Sequence, residues 1–245
     1  MPDAPAPVVD DALPASWVLL ETHSDEFDAA ALDQSKWQVD LPDWGTWSWR
    51  SQNVGVSGGN LLLTMAAETH ERDGRQLHYT AGIVRSRAAP IRYGYVEARI
   101  RAAGRWPGVA SAFWLFRNRP DYWTEIDVVE MMQRRNTRRI IDVSLYVLRD
   151  PAIQQLPVRI KQHADVDWDP AEDFHVYSCL WDAGRVRHYV DGRLVLESPN
   201  EHWHQPLDVV LSLGLRSPLD TTPDPDGFPT RMAVDYVRVW GPPIQ

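Results

Sequence analysis

Short segments of β-branched and aromatic residues, each closed by turn residues, recur almost to the end of the chain, and no long stretch keeps the 3.6-residue period of an amphipathic helix. Residues 60–66 (NLLLTMA), 81–87 (AGIVRSR), 93–101 (YGYVEARIR), 110–117 (ASAFWLFR), 124–131 (TEIDVVEM) and 140–148 (IIDVSLYVL) read as strands, followed by 174–181, 186–190, 193–197, 208–214 and 232–240. Asp191-Gly192 has the form of a type I′ hairpin connection, whose two central residues must both take positive φ. So many short strands with so few helical signals predict an all-β fold, a β-sandwich jelly roll of two packed antiparallel sheets. The intervening stretches 42–59, 67–79, 103–109, 117–123, 149–172 and 215–231 are predicted to be loops, and long loops on a rigid sandwich are where a binding site is built.

The chain has 245 residues and no polar linker, which predicts one domain over 17–245, with the Pro/Ala-rich residues 1–16 as a disordered leader. A net charge of −9 argues against nucleic acid as a partner, and no apolar run is long enough to span a bilayer. The opening residues lack the basic and apolar regions of a secretory signal, and the lone Cys179 permits no internal disulfide. The basic residues are nearly all arginine, Lys36 and Lys161 being the only lysines, a bias that suits planar recognition of anionic oxygens. Twelve tryptophans are a heavy load, and Trp44, Trp47 and Trp49 (PDWGTWSWR), Trp106 and Trp123 sit among polar or turn residues, as platforms lining a cleft would.

The segment TEIDVVEMM, residues 124–132, places Glu125, Asp127 and Glu130 in an otherwise apolar strand. Glu125 and Asp127 share a face by alternation, whereas Glu130 falls out of phase. One extra residue at Val128-Val129, a β-bulge, returns Glu130 to the face of the other two acids. Desolvated carboxylates are costly, so three of them together point to catalysis: a nucleophile and a general acid flanking a glycosidic bond, close enough for retention of configuration. Deleting Val129 is expected to turn Glu130 away from the cleft and abolish hydrolysis.

TEIDVVE resembles the E-x-D-x-x-E signature of glycoside hydrolase family 16 in its bulged form. The segments SDEFD, LDQSKW, GGNLLLTM, AGIVRSRAAPIRYGYVEARIRA, AFWLF, DFHVYSCLWDAGRVRHYVDGRLV, PLDVVLSLGL and MAVDYVRVW resemble further family segments in the right order, over roughly residues 17–240. The resemblance implies a jelly roll with a cleft across its concave sheet and retaining endo-hydrolysis of a β-linked polysaccharide. By matching position, Glu125 is the nucleophile, Asp127 its assistant and Glu130 the acid/base. WSWRSQNVGVSGGNL, RWPGV and the run from TEIDVVE into MMQRRN and RRIIDVSLYVLR are most similar to the galactanase branch, which acts on red-algal polymers. Within it the carrageenan- and furcellaran-active enzymes come first, with agarases and porphyranases as the alternative; a laminarinase-like β-glucanase or a silent carbohydrate-binding jelly roll are more distant ones. Arg117, Arg119, Arg134 and Arg149 are the candidate sulfate ligands, with Arg135, Arg138 and Arg139 beside them, and Trp47, Trp49, Trp114 and Trp123 the candidate stacking platforms. Tyr146 stands where relatives often carry a histidine, which a phenol cannot replace as a cation. The resemblance further implies a structural calcium near Glu26, Gly59 and Asp235, no cofactor for the chemistry itself, a monomer, and action in the secreted or periplasmic space.

Overall fold

The computed structural model describes residues 6–9, 13–131 and 139–243. Along the chain the strands are β1 (Val18–Leu19), β2 (Trp37–Gln38), β3 (Ser48–Trp49), β4 (Val54–Ser57), β5 (Asn60–Arg72), β6 (Arg75–Ala81), β7 (Ile83–Ser86), β8 (Gly94–Arg101) and β9 (Val109–Asn118). They continue with β10 (Trp123–Met131), β11 (Ile140–Arg149), β12 (Val158–Asp165), β13 (His175–Trp181), β14 (Arg185–Val190), β15 (Arg193–Pro199), β16 (Asp208–Leu215) and β17 (Thr230–Gly241). The helical element among the described residues is a single 3₁₀ turn, Ser51–Asn53.

The strands form two sheets, one ordered β12-β11-β10-β9-β16-β7-β2 and the other β15-β14-β13-β8-β17-β5-β6-β3, with β1 and β4 added to β17 and β5. This is the jelly roll that the strand pattern predicts. Alternation sorts the side chains: Phe113, Leu115, Ile126, Leu145, Val209 and Leu211 of the first sheet are fully buried against Leu61, Leu63, Ala98, Cys179, Val237 and Val239 of the second. Their partners in the alternation, Trp114, Phe116, Glu125, Asp127, Ser212 and Gly214, point outward and make one lined surface. Asp191 and Gly192 both take positive φ, 47° and 75°, as the I′ hairpin requires.

Three of the expected loops need correction, the first being 42–59, which holds β3, the 3₁₀ turn and β4. Residues 67–79 are not a loop: β5 runs to Arg72 and folds back into β6 around Asp73-Gly74, whose φ values of 53° and 70° are again positive. The polar composition of ETHERDGRQLHY hides this hairpin, because much of its outer half faces solvent. The stretch 149–172 contains β12, an edge strand paired only to β11 and with no fully buried residue. The described residues of the first sixteen make contacts with the second sheet. Val9 and Leu13 cover Tyr95, Leu180, Tyr189 and Trp240 on the outer face of the second sheet, and Val8 N–H donates to the buried Glu97 at 3.0 Å.

Candidate active site

Asp127 of β10 lies opposite Ser144 of β11 and Trp114 of β9, and Glu130 opposite Asp142 and Ala112. Between these pairs β10 has Val128 and Val129, while β11 has only Val143 and β9 only Phe113. This is the bulge that the sequence required. Both valines are fully buried in the sandwich, and Glu125, Asp127 and Glu130 all line one cleft of about 780 Å³ on the outward face.

The electrostatics of the three acids follow from crowding and burial. Burial and then the Glu130 charge push Glu125 up to about 7, against the opposing pulls of Asp127, Trp123 and Arg216. Asp127 is pushed well above the ordinary carboxyl range, again by burial first, then by Glu130 and Glu125, with Lys161 the opposing charge. The hydrogen bond between Asp127 and Glu125 lowers the pKa of Glu125 and raises that of Asp127, so of the two it favours the proton on Asp127. Arg216 donates to Glu130 Oε1 at 2.9 Å, anchoring that carboxylate from the opposite wall. Tyr146 stands directly across β11 from Glu125, and its phenol is raised by burial and by the charges of all three acids, with Ser144 acting against them. On β12, His163 is paired to the buried Asp142, which also meets Lys161 at 3.4 Å.

The aromatic platforms are partly those expected. Trp114 is half-buried in the cleft floor, its indole N–H donating to Ser212 Oγ at 3.2 Å, with Phe116 tilted against it at 4.7 Å. Trp123 flanks Glu125 and meets Phe116 edge-on. Trp47 and Trp49 border the cleft but are 6% and 5% exposed, so they support its wall rather than offer a face. The face is offered by Trp44, 39% exposed, which stands edge-on to Trp49 at 4.9 Å and to Trp114 at 6.3 Å. The spacing W-x-x-W-x-W could not show which ring emerges, because the segment is mostly loop and has no fixed period.

Of the candidate arginines, Arg117 and Arg119 line the cleft. Arg149 instead donates to Asn118 Oδ1 and to the carbonyl of Arg119, bracing the loop that carries them. Arg134, Arg135 and Arg138 lie outside the described residues. Three cleft arginines were not singled out from the sequence: Arg85, Arg87 and Arg216. A signal for Arg216 exists, since it shares the parity of Asp208, Ser212 and Gly214 and so continues the outward face of β16.

The acidic side chains proposed for calcium are committed elsewhere. Both oxygens of Glu26 accept from Arg238 at 2.8 Å, and Asp235 is paired to Arg99 at 2.7 Å. Among the described residues no three His, Cys, Asp or Glu side chains gather as a metal-binding group. Both carboxylates are neutralised by guanidinium groups, which leaves backbone carbonyls such as that of Gly59 as the oxygens a calcium ion would take here.

Comparison with known proteins places the geometry. Residues 17–242 match the family described as "Beta-porphyranase A-D, GH16 domain". The κ-carrageenase of Pseudoalteromonas carrageenovora is 35% identical over 260 residues, covering 92% of this chain and 65% of that protein, and β-porphyranase E of Zobellia galactanivorans is 29% identical over 76% of this chain and 71% of its own length. The solved complex of the P. carrageenovora κ-carrageenase with a κ-carrageenan oligotetrasaccharide superposes with a TM-score of 0.83 at 34% identity, over 94% of this chain and 97% of that one. With the bulged triad of acids lying in its cleft, the chain belongs to glycoside hydrolase family 16.

Proposed function

We propose that the chain is a retaining endo-hydrolase of a sulfated red-algal galactan, cutting β-1,4 linkages in a polymer of the κ-carrageenan or furcellaran kind. The observation that carries the reading is the pairing of the three-acid strand with a cleft whose cations are all arginines, in a chain 35% identical to a κ-carrageenase. Glu125 attacks the anomeric carbon while Glu130 protonates the departing glycosidic oxygen; Glu130 then deprotonates the water that releases the glycosyl-enzyme. Asp127 keeps its own proton and, by donating to Glu125, steadies the charge and orientation of the nucleophile. Trp44, Trp114 and Trp123 give flat apolar faces for galactose rings, and the guanidinium groups suit sulfate oxygens. A polymer-degrading role places the working enzyme outside the cytoplasm, secreted or periplasmic. The match to the porphyranase domain family supports a second reading, a porphyranase or agarase, on the same chemistry.

Reducing-end release on κ-carrageenan, furcellaran, agarose, porphyran, laminarin and mixed-linkage glucan tests the assignment. Cleavage of the first two is expected; cleavage of glucans alone rejects the galactan reading.

A pH profile tests the electrostatics. Glu125 must be ionised to attack, so kcat/KM of the free enzyme is expected to fall with acid through a limb near pH 7 rather than near the usual carboxyl value of 4.5. Arg216 favours the ionised form, so Arg216→Ala should move that limb to higher pH. A limb that stays put or moves down separates Arg216 from the ionisation of Glu125.

A further inference from the structure

Beyond the acids the cleft holds a second charged constellation. Asp208, at the start of β16, pairs across the sheet with Phe116 of β9, which pairs with Glu125 of β10, so Asp208 stands in the row of Glu125. Two strand spacings separate them, about 10 Å. Asp208 is 6% exposed, and burial raises its pKa; the charges that oppose the shift are Arg117, Arg85 and Arg119, followed by His23. Arg117 Nε lies 3.5 Å from Asp208 Oδ2. Arg85, on the neighbouring β7, is held by Gln38 Oε1 at 2.7 Å, and Arg119 rides on the exposed loop that Arg149 braces. All three guanidinium groups line the cleft.

One guanidinium group therefore pairs with this buried carboxylate, and two more line the same part of the cleft within reach of its charge. A structural ion pair needs one of them. The excess is positive, and it faces a floor made by Phe116 and Trp123, where a sugar ring can lie. Guanidinium forks held in place, Arg117 by Asp208 and Arg85 by Gln38, are pre-organised for a planar or tetrahedral oxyanion, which then supplies the missing negative charge.

Resting on the galactanase reading, we infer that Arg85, Arg117 and Arg119, positioned around Asp208, form a second anion-recognition point that takes the sulfate ester of a sugar unit removed from the scissile linkage. Such a point selects for polymers sulfated at a distance from the bond being cut, and it makes tight binding depend on oligosaccharides long enough to reach it. Asp208 positions Arg117 and Gln38 positions Arg85, and the arginines are the ligands.

Arg119 is exposed, so its replacement leaves the core intact. KM and kcat are measured for the parent, Arg119→Ala, Arg85→Ala and Arg119→Lys on a sulfated galactan and on the same polymer after chemical desulfation. Each alanine variant is expected to raise KM on the sulfated polymer about tenfold, with kcat moving less than about twofold and a much smaller rise on the desulfated polymer. Arg119→Lys should recover part of the loss, since it restores charge without the fork, and the difference between parent and variant should shrink in high salt. An equal rise in KM on both polymers, or none on the sulfated one, overturns the inference while leaving the galactanase reading in place. A parent protein that cuts no sulfated galactan but cuts another polysaccharide overturns both.

Discussion

Glu125→Gln should lower kcat by about 10⁵-fold and, in alkaline buffer, leave a protein that melts higher than its parent. The rate loss follows from the role of Glu125 as nucleophile: a neutral amide cannot form the glycosyl-enzyme, and the other two acids cannot reach the same face of the anomeric carbon in its place. The stability gain follows from the same burial that raises its pKa from 4.5 to about 7. A carboxyl whose folded pKa lies above its unfolded value stabilises the fold while both states are protonated, below about pH 4.5, and loses that contribution as pH rises through the folded value. Between pH 4.5 and 8 the parent therefore gives up on the order of 2 kcal/mol, whereas glutamine, which mimics the protonated acid, does not. For a chain of this size that is about 5 °C in Tm at pH 8 and nothing at pH 4. Thermal melts of both proteins at the two pH values, beside single-turnover assays, check the two halves separately. A variant within tenfold of the parent rate removes Glu125 as nucleophile, and equal melting temperatures at pH 8 remove the claim that its charge is held against desolvation.

What the sequence shows and what it hides divide along the period of the strand. Alternation is a strong signal where one face is buried, so β8 to β11 and β16 to β17 can be placed to within a few residues, and the misfit of Glu130 is visible only because the rest of that strand alternates so cleanly. The same signal vanishes in β6 and β12, whose outer residues are polar on both sides or at a sheet edge. Site residues on strands are legible for the same reason that the strands are: parity puts Glu125 and Asp127 on one face, and the break in parity at Glu130 shows the bulge that returns it to them. Trp44 and Arg87 lie on loops, where no parity exists, and only the folded chain shows that Trp44 emerges while Trp47 and Trp49 sink beneath it. For Glu26 and Asp235 resemblance supplies the acid types but not their partners, and only the folded chain shows Arg238 and Arg99 paired to them.

The bulge also reverses one expectation about its own removal. Asp127 and Glu130 are in register with Ser144 and Asp142, so two residues of β10 face a single residue, Val143, of β11. Deleting Val129 leaves one residue facing one. Regular alternation then runs Glu125, Asp127, Glu130 along the cleft face, with Val128 still in the core, and the pairings beyond Glu130 are kept. Glu130 is therefore expected to stay in the cleft, and the deletion to cost position rather than chemistry, about 10²-fold in kcat for a shift of order 1 Å. Glu130→Gln, which removes the acid and the base together, should cost about 10³-fold or more on a substrate with a poor leaving group. Adding Glu130→Gln to the deletion should then take away what activity remains. If the deletion alone already falls to the level of Glu130→Gln, the strand has kept its bulge and turned the carboxylate into the sandwich, where an unpaired charge also lowers Tm sharply. If it keeps the full rate, the bulge does not aim Glu130 at all. The double substitution is the informative member of the set, since only a Glu130 still facing the cleft gives it anything to lose.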